Sequence, residues 1–253
     1  MPRWLRALLL TVLLLTAGCS NEPAEPLRIG INPWPGYDYL YLAQRKGLFA
    51  EAGVAVELVE FTSLGDSRRA FERGQVDGFG GTTVELLLSR RHSDRQPQAF
   101  YVTNWSQGAD QILAGAEVAD LADLRGRRIG VEPASLDLLV LAVALERADI
   151  PYDAVQRVTL AQAEMPGAMA EGRIDAAVSY PPASVRIAEQ EGVHEVFSTA
   201  QAPRTVLDLL IADAGSLDRR PADWRAVARV FDRAVHYARE HPDEAHRIMA
   251  DRE

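Results

Sequence analysis

Arg28-Ile29-Gly30-Ile31-Asn32-Pro33 returns one hundred residues later as Arg128-Ile129-Gly130-Val131-Glu132-Pro133. A second pair, Gly74-Gln75-Val76-Asp77 and Gly172-Arg173-Ile174-Asp175, recurs at nearly the same offset. Each copy of the first motif contains a short apolar strand that leads into a proline-containing turn, and a helical pattern follows it. Two matches in the same order predict two similar α/β lobes. Two such lobes that face each other form a cleft, and clefts of this kind bind small ligands.

Strands and helices alternate along both halves of the chain. Apolar runs predict strands at 27–31, 54–61, 76–79, 99–103, 128–131, 155–160, 176–179, 193–197 and 206–212. This alternation predicts an α/β fold of two lobes, with mostly parallel sheets flanked by helices and a ligand cleft between the lobes. We expect lobe 1 to comprise residues 27–104 and 203–253, and lobe 2 to comprise residues 105–202.

The N-terminal residues predict export and attachment to a membrane. A positively charged start and an apolar run over 7–17 lead into Gly18-Cys19, which is typical of a signal peptide over 1–18. The residues before Cys19 are similar to the lipobox of bacterial lipoproteins. We therefore expect Cys19 to be the lipidated first residue of the mature protein, with 19–26 as a tether. An ordinary signal peptide with an incidental cysteine is the alternative.

The composition argues against several classes of function. The chain has 27 Lys and Arg against 36 Asp and Glu, a formal net charge of −9, which disfavours nucleic acid as a partner. Cys19 is the one cysteine, so the body of the protein has no thiol chemistry. His236, His241 and His246 are spaced by five and share no helical face, and we expect neither a metal nor another cofactor. The sequence also has no glycine-rich phosphate loop and no GxSxG elbow, which favours a binding protein over an enzyme.

Ligands of parallel α/β sheets bind beyond the carboxyl ends of the strands, and this rule selects the candidate site residues. They are polar, acidic or aromatic residues in the loops and helix starts that follow the predicted strands. The set consists of Trp34, Tyr37, Asp38, Thr82, Thr83, Ser106, Asp110, Glu132, Ser135, Tyr180 and Asp208.

Two helix starts in this set could bind an anion. Thr82 or Thr83 opens one predicted helix, and Ser135 opens another. Free N–H groups at a helix N-terminus bind carboxylates, sulfonates and similar head groups. The alternative is that Thr82 and Ser135 only cap their helices; Thr82 with Glu85 has the spacing of a capping box.

The remaining candidates favour a cationic group on the ligand. Each of four aromatic residues lies in or beside a predicted cleft loop and can form a wall of the site: Trp34, Tyr37, Trp105 and Tyr180. The carboxylates of Asp38, Asp110, Glu132 and Asp208 can bind an amino group, and Arg204 is the main basic exception near the predicted cleft. The alternatives are that some rings only pack beneath the loops, that Asp38 is an N-cap, and that the other carboxylates are solvated surface charges.

Several short motifs give the chain a family resemblance. They include Trp34-Pro35-Gly36-Tyr37, Lys46-Gly47-Leu48-Phe49, Ser106-Gln107-Gly108-Ala109-Asp110, Leu121-Ala122-Asp123-Leu124-Arg125-Gly126 and Val206-Leu207-Asp208. In this order they resemble the substrate-binding proteins of nitrate/sulfonate/taurine-type ABC importers, which share a fold with the thiamine-pyrimidine binders. The resemblance implies a type II periplasmic-binding-protein fold, and delivery of a solute to a membrane permease driven by a separate ATPase. Relatives continue past the position of Glu253, so we expect lobe 1 to be short at its C-terminal end.

Together these features predict a lipid-anchored, monomeric receptor that faces the periplasm or the cell exterior. Its expected partners are a small organic solute with an amino or zwitterionic group, the permease with its ATPase, and the membrane through the lipid alone. Three alternatives stay open. The same fold could bind a simple anion, such as sulfonate, taurine or nitrate. It could serve as a ligand sensor, or it could be an enzyme related to the fungal thiamine-pyrimidine synthase. That enzyme uses a cysteine-rich motif, which this chain does not have.

Overall fold

A computed structural model describes residues 25–252, and two five-stranded sheets organise them. The strands of the first sheet are β1 (Leu27–Ile31), β2 (Val56–Glu60), β3 (Gly78–Thr82), β4 (Pro97–Trp105) and β10 (Leu207–Asp213). Their order in the sheet is β2-β1-β3-β10-β4. β1 is parallel to β2 and β3, while β10 runs antiparallel to β3 and β4.

The second sheet repeats this plan with the order β7-β6-β8-β5-β9. Its strands are β5 (Gln111–Ala114), β6 (Arg128–Val131), β7 (Gln156–Thr159), β8 (Ala176–Ser179) and β9 (His194–Ser198). β6 is parallel to both neighbours, and β5 runs antiparallel to β8 and β9. In each sheet, the antiparallel strand is the first strand after the chain has crossed from the other lobe.

Within each lobe, the aspartate of the second repeated motif binds the start of a strand, and the two lobes do this in the same way. The Asp77 carboxylate accepts a hydrogen bond from the backbone N–H of Arg28 at 2.9 Å. In the same way, the Asp175 carboxylate accepts from the backbone N–H of Arg128 at 2.7 Å and from its guanidinium at 2.6 Å. Each aspartate thus ties the start of one strand to the loop that leads into its parallel neighbour.

Ten α-helices of residues 25–252 cover the sheets and crossings. They are α1 (Asp38–Arg45), α2 (Leu48–Glu51), α3 (Leu64–Glu72), α4 (Thr83–His92), α5 (Asp137–Arg147), α6 (Met165–Ala170), α7 (Ala183–Ala188), α8 (Ala214–Arg219), α9 (Pro221–Glu240) and α10 (Pro242–Ala250). Three short 3₁₀ turns lie at Leu121–Leu124, Tyr152–Ala154 and Gln162–Glu164. In the described part of the chain, no helix combines the length and the apolar character needed to cross a membrane.

Two segments, 106–110 and 199–206, connect the lobes and bind each other. The Ser106 and Thr199 hydroxyls are 2.6 Å apart, and the backbone N–H of Thr199 donates to the carbonyl of Asp110 at 3.0 Å. The backbone N–H of Ser106 also donates to the carbonyl of Val206 at 2.9 Å. The candidate Ser106 therefore lies in the hinge, where its side chain connects the two crossings.

Some predictions from the sequence are wrong in their local detail. Tyr37, not Asp38, is the N-cap residue of α1, because the turn over Trp34–Tyr37 continues directly into the helix. Asp66, which as an acidic residue at a helix start is the cap expected from the sequence, is not the cap of α3; Ser63 is, with its hydroxyl accepting from the backbone N–H of Asp66. Leu136 is the N-cap residue of α5, and the Ser135 hydroxyl does not cap that helix. The signal peptide 1–18, the lipidated Cys19 and most of the tether lie outside the described residues.

Candidate ligand-binding site

A small pocket between the lobes brings together five of the predicted site residues. It is lined by Trp34, Tyr37, Leu64, Asp110, Leu136, Tyr180 and Asp208, and its volume is about 10 Å³. Trp34 of lobe 1 contacts Tyr180 of lobe 2 edge to face, with the ring centroids 5.8 Å apart and the planes at 86°. The lobes are therefore closed on each other around this inner pocket, and a solute enters only when they separate.

Glycines position the aromatic rings on the lobe 1 side. A Cβ atom on Gly36 would lie 2.4 Å from the indole Nε1 of Trp34, so only glycine lets the indole lie over this turn. A Cβ atom on Gly80 would lie 2.9 Å from the ring of Tyr37, which packs flat against β3. The indole Nε1–H is buried and has no hydrogen-bond partner within residues 25–252. It is available to donate to a ligand.

Asp208 and Tyr37 form the floor of the inner pocket. The Tyr37 hydroxyl lies 2.9 Å from the carbonyl oxygen of Gly81 and 3.4 Å from Oδ1 of Asp208. Oδ2 of Asp208 is buried without a partner among the described residues. Burial, together with the nearby charges of Asp110 and Glu85, raises the pKa of Asp208 to about 8.

Asp110 is the second carboxyl group of the inner pocket. It is buried at the end of the first crossing, just before β5. Burial raises the pKa of Asp110 to about 6, against the opposing effect of a hydrogen bond with Ser106. Neither Lys nor Arg is found among the described residues that line this pocket. The inner pocket therefore has two carboxyl groups and no side-chain cation.

Glu132 and Asp137 add two buried carboxyl groups on the lobe 2 side. Oε2 of Glu132 accepts from the hydroxyls of Tyr180 at 3.2 Å and Ser135 at 3.3 Å. Oδ2 of Asp137 accepts from the backbone N–H of Glu132 at 2.7 Å and from Gln162 Nε2 at 2.9 Å. Oε1 of Glu132 and Oδ1 of Asp137 are buried without partners in the described part of the chain. Burial, and then the charge of Glu85, raises the pKa of Glu132 to about 7.

Glu85 joins the lobes directly. Its Oε2 accepts from the backbone N–H of Thr82 at 2.9 Å and from the Thr82 hydroxyl, which completes the predicted capping box of α4. Its Oε1 accepts from the backbone N–H of Leu136 at 3.1 Å, at the start of α5 in lobe 2. The side chain is fully buried, and burial raises the pKa of Glu85. A lobe 1 carboxylate therefore binds the α5 N-terminus, where the sequence predicted a ligand anion.

A larger outer cavity of about 200 Å³ opens beside the inner pocket and shares Tyr180 with it. It is lined by Pro33, Asp38, Glu60, Thr62, Gln162, Ala163, Pro166, Tyr180, Pro182, Ala183, Arg186 and Arg252. The Arg252 guanidinium pairs with Asp38, lies 3.3 Å from Glu60 and donates to the carbonyl of Asn32 at 2.9 Å. Asp38 is thus placed in the outer cavity, where it contacts a cation of the protein itself.

The other sequence candidates lie outside both cavities. The side chain of Thr82 is engaged in its capping box, and Thr83 is half-buried at the start of α4. Ser135 and Glu132 are buried, joined by a hydrogen bond, and line neither cavity. Trp105, considered as a wall residue, is 55% exposed at the end of β4. Arg204, the basic exception named from the sequence, is exposed as well and lines neither cavity.

Several residues of the site were not selected from the sequence. Glu85 was noted only as the partner of Thr82; its place in the first turn of the helix that follows β3 is the signal that could have selected it. Asp137 follows Ser135 by two residues, and Gln162 precedes α6. Leu64, Leu136 and Arg252 carry no local signal, because they reach the site only through contacts between distant parts of the chain.

The sequence matches one family over most of its length. A family model described as NMT1/THI5 like covers residues 34–245. The chain belongs to the NMT1/THI5-like family. Among its relatives, a binding protein of Brucella abortus is 25% identical over 229 residues, which are 89% of this chain and 70% of that protein.

Solved structures confirm the fold of this NMT1/THI5-like chain. The periplasmic aliphatic sulphonate binding protein SsuA from Escherichia coli has a TM-score of 0.77 at 20% identity, covering 90% of this chain and 74% of that one. The periplasmic nitrate-binding protein NrtA from Synechocystis PCC 6803 has a TM-score of 0.76 at 16% identity, over 89% and 66% of the two chains. The desulfurization enzyme DSZB has a TM-score of 0.61 at 18% identity, over 88% and 80%. The predicted two-lobed α/β periplasmic-binding fold is correct, and the fold is shared by binding proteins and an enzyme.

Proposed function

We propose that this NMT1/THI5-like chain is the exported receptor of an ABC importer, and that it binds a small organic solute with a protonated amino group, alone or in a zwitterion. The observation that carries the proposal is the inner pocket, where Oδ2 of Asp208 is a buried acceptor without a partner among residues 25–252. Asp110 adds a second buried carboxyl group to the same pocket. Buried acceptors of this kind are costly unless a donor reaches them, and an ammonium group supplies several donors with a compensating charge.

Capture of the solute follows from the position of these groups on both lobes. Asp208 and Trp34 belong to lobe 1, whereas Leu136 and Tyr180 belong to lobe 2, and all four line the inner pocket. A solute that contacts all four binds the closed arrangement more tightly than the open one, and so shifts the population towards closure. The rings of Trp34 and Tyr180 then enclose the ammonium group, because a cation is attracted to the face of an aromatic ring. The closed receptor is the form presented to the permease and its ATPase, with Cys19 as the site of lipid attachment.

The proposal is tested by a thermal-shift screen followed by calorimetry. The purified protein is screened against amino acids, polyamines, thiamine pyrimidines, taurine, alkylsulfonates and nitrate, because binding to the folded state raises the melting temperature. We expect a hit that carries an amino group and is recovered chemically unchanged. Asp208→Asn should lower the affinity for that compound by about tenfold or more, because a charge-assisted hydrogen bond is lost. The matched control is Asp218→Asn, an exposed aspartate of α8 in the same lobe.

A receptor for a simple anion is the second candidate, and one observation favours it. Arg186 and Arg252 line the outer cavity, and SsuA is named for binding aliphatic sulphonates. In that case a sulfonate or nitrate would give the hit. Arg186→Ala would lower the affinity for that anion, while Asp208→Asn would leave it unchanged. That result would overturn the amino-bearing solute and leave the receptor in place. A hit converted to a product would overturn the receptor in favour of an enzyme.

A further inference from the structure

We infer that Glu85 determines the specificity of the inter-lobe site by occupying the α5 N-terminus and so excluding anionic head groups from it. The inference deepens the proposed function and rests on it, since it names the residue that keeps the site selective against anions. Glu85 belongs to lobe 1 and α5 to lobe 2, so this contact forms where the two walls of the cleft meet.

The geometry leaves no room for a second anion at this helix end. Leu136, the N-cap residue of α5, has no side-chain cap of its own, and its backbone N–H donates to Oε1 of Glu85. The Ser135 hydroxyl, which could have capped the helix, donates to Glu132 instead. The other oxygen of Glu85 is held by Thr82. Both carboxylate oxygens are thus fixed by hydrogen bonds, and the side chain is fully buried.

Charge adds to the exclusion. The start of α5 has the partial positive charge of a helix N-terminus, which would attract a sulfonate or a carboxylate. The Glu85 carboxylate neutralises that charge and brings a negative group to the wall formed by Leu136. An anionic ligand would have to displace this carboxylate, which would then be buried without its partner. A cationic ligand, in contrast, is attracted by the same carboxylate.

Removing the carboxylate should convert the site into one that accepts an anion. We expect Glu85→Ala to bind ethanesulfonate at least about tenfold more tightly than the wild type does, a gain of about 1.4 kcal/mol. Calorimetry with ethanesulfonate measures this directly. Glu57→Ala is the matched control, because it removes one negative charge from an exposed position of β2 in the same lobe, and it should leave the affinity unchanged.

Glu85→Ser also removes the charge and vacates the helix end, so it replaces the alanine variant if that variant does not fold. A folded Glu85→Ala or, failing that, a folded Glu85→Ser with the ethanesulfonate affinity of the wild type would overturn the inference. So would a wild-type protein that binds ethanesulfonate more tightly than either variant. The proposed amino-bearing solute is judged separately, on the wild type alone: no amine hit there, with a gain in Glu85→Ala, overturns the proposed ligand and supports the role of Glu85.

Discussion

Asp208→Asn should make the ligand-free protein more stable at alkaline pH while it weakens ligand binding. Asp208 is buried at 4% exposure, and one of its two oxygens lacks a partner among the described residues. A charged carboxylate in this position is penalised by burial and by the neighbouring carboxylates, whereas a neutral amide of the same shape is penalised only for the hydrogen bonds that it cannot make there. The substitution therefore separates the cost of the charge from the packing of the side chain.

The sign of the effect follows from the raised pKa. A carboxyl group whose pKa is higher in the folded than in the unfolded protein holds its proton more tightly when folded. Its stabilising contribution is full below the ordinary pKa of 3.8 and is lost as the pH rises through about 8. At about 1.4 kcal/mol per pKa unit, the upper limit of this loss is about 6 kcal/mol. Relaxation around the charged group reduces it, and we expect Asp208→Asn to be about 2–4 kcal/mol more stable than the wild type at alkaline pH.

The assay is urea unfolding without ligand, followed by tryptophan fluorescence at about pH 5 and about pH 9. The advantage of Asp208→Asn over the wild type should be larger at the higher pH, and Asp218→Asn should show no such trend because Asp218 is exposed. An advantage that is equal at both pH values, or a variant less stable than the wild type at about pH 9, would refute the reasoning. It would mean that Asp208 is compensated in the folded protein, and the argument for a cationic ligand would lose its main support.

Three further predictions concern the ligand. Trp34→Ala should weaken binding about tenfold to a hundredfold by calorimetry without unfolding the protein, whereas the exposed Trp105→Ala should not; equal effects of the two would exclude Trp34 from the pocket wall. Gly36→Ala should push the Trp34 indole aside and reduce the affinity for the ligand, whereas Gly167→Ala, whose Cβ would meet no atom within 4 Å, should not. A Gly36→Ala variant with the affinity of the wild type would contradict the close contact between Gly36 and the indole. The affinity for an amino-bearing ligand should fall as the pH drops from about 8 to about 6, because Asp208, Glu132 and Asp110 are protonated in turn. An affinity that stays constant over this range in calorimetry would contradict the binding of the amino group by these carboxylates.

The repeated motifs were a sound basis for predicting the fold, because they encode a local structural contact. Asp77 and Asp175 each follow a glycine by three residues, and each binds the first residues of the adjacent strand. The predicted bounds of β1, β6 and β8 agree with the structure. The short strand β5 was not predicted. Its four residues carry too little periodicity, and the strand is defined by pairing with β8 and β9, which lie far along the chain.

The candidate site was predictable where it depends on strand ends and not where it depends on contacts between lobes. Trp34, Tyr180, Asp110 and Asp208 come directly after or within the predicted crossings and strands, so their convergence followed from the fold. The contact between Glu85 and Leu136 spans 51 residues, and that between Arg252 and Asp38 spans 214. Sequence spacing reveals a capping box within one turn of helix, but not the second lobe that closes over it.

The buried carboxyl groups at the cleft link the closure of the lobes to the charge of the ligand. Burial raises the pKa values of Glu85, Asp110, Glu132 and Asp208, and the charge of Glu85 raises those of the other three further. Each carboxylate would be better solvated with the lobes apart. The contact between Glu85 and Leu136 opposes that repulsion and holds the lobes together. A bound cation would remove the repulsion as well, because it attracts carboxylates on both lobes at once. An anion would increase it. The same charges that make the closed, ligand-free protein less stable at alkaline pH therefore make closure selective for a cationic solute.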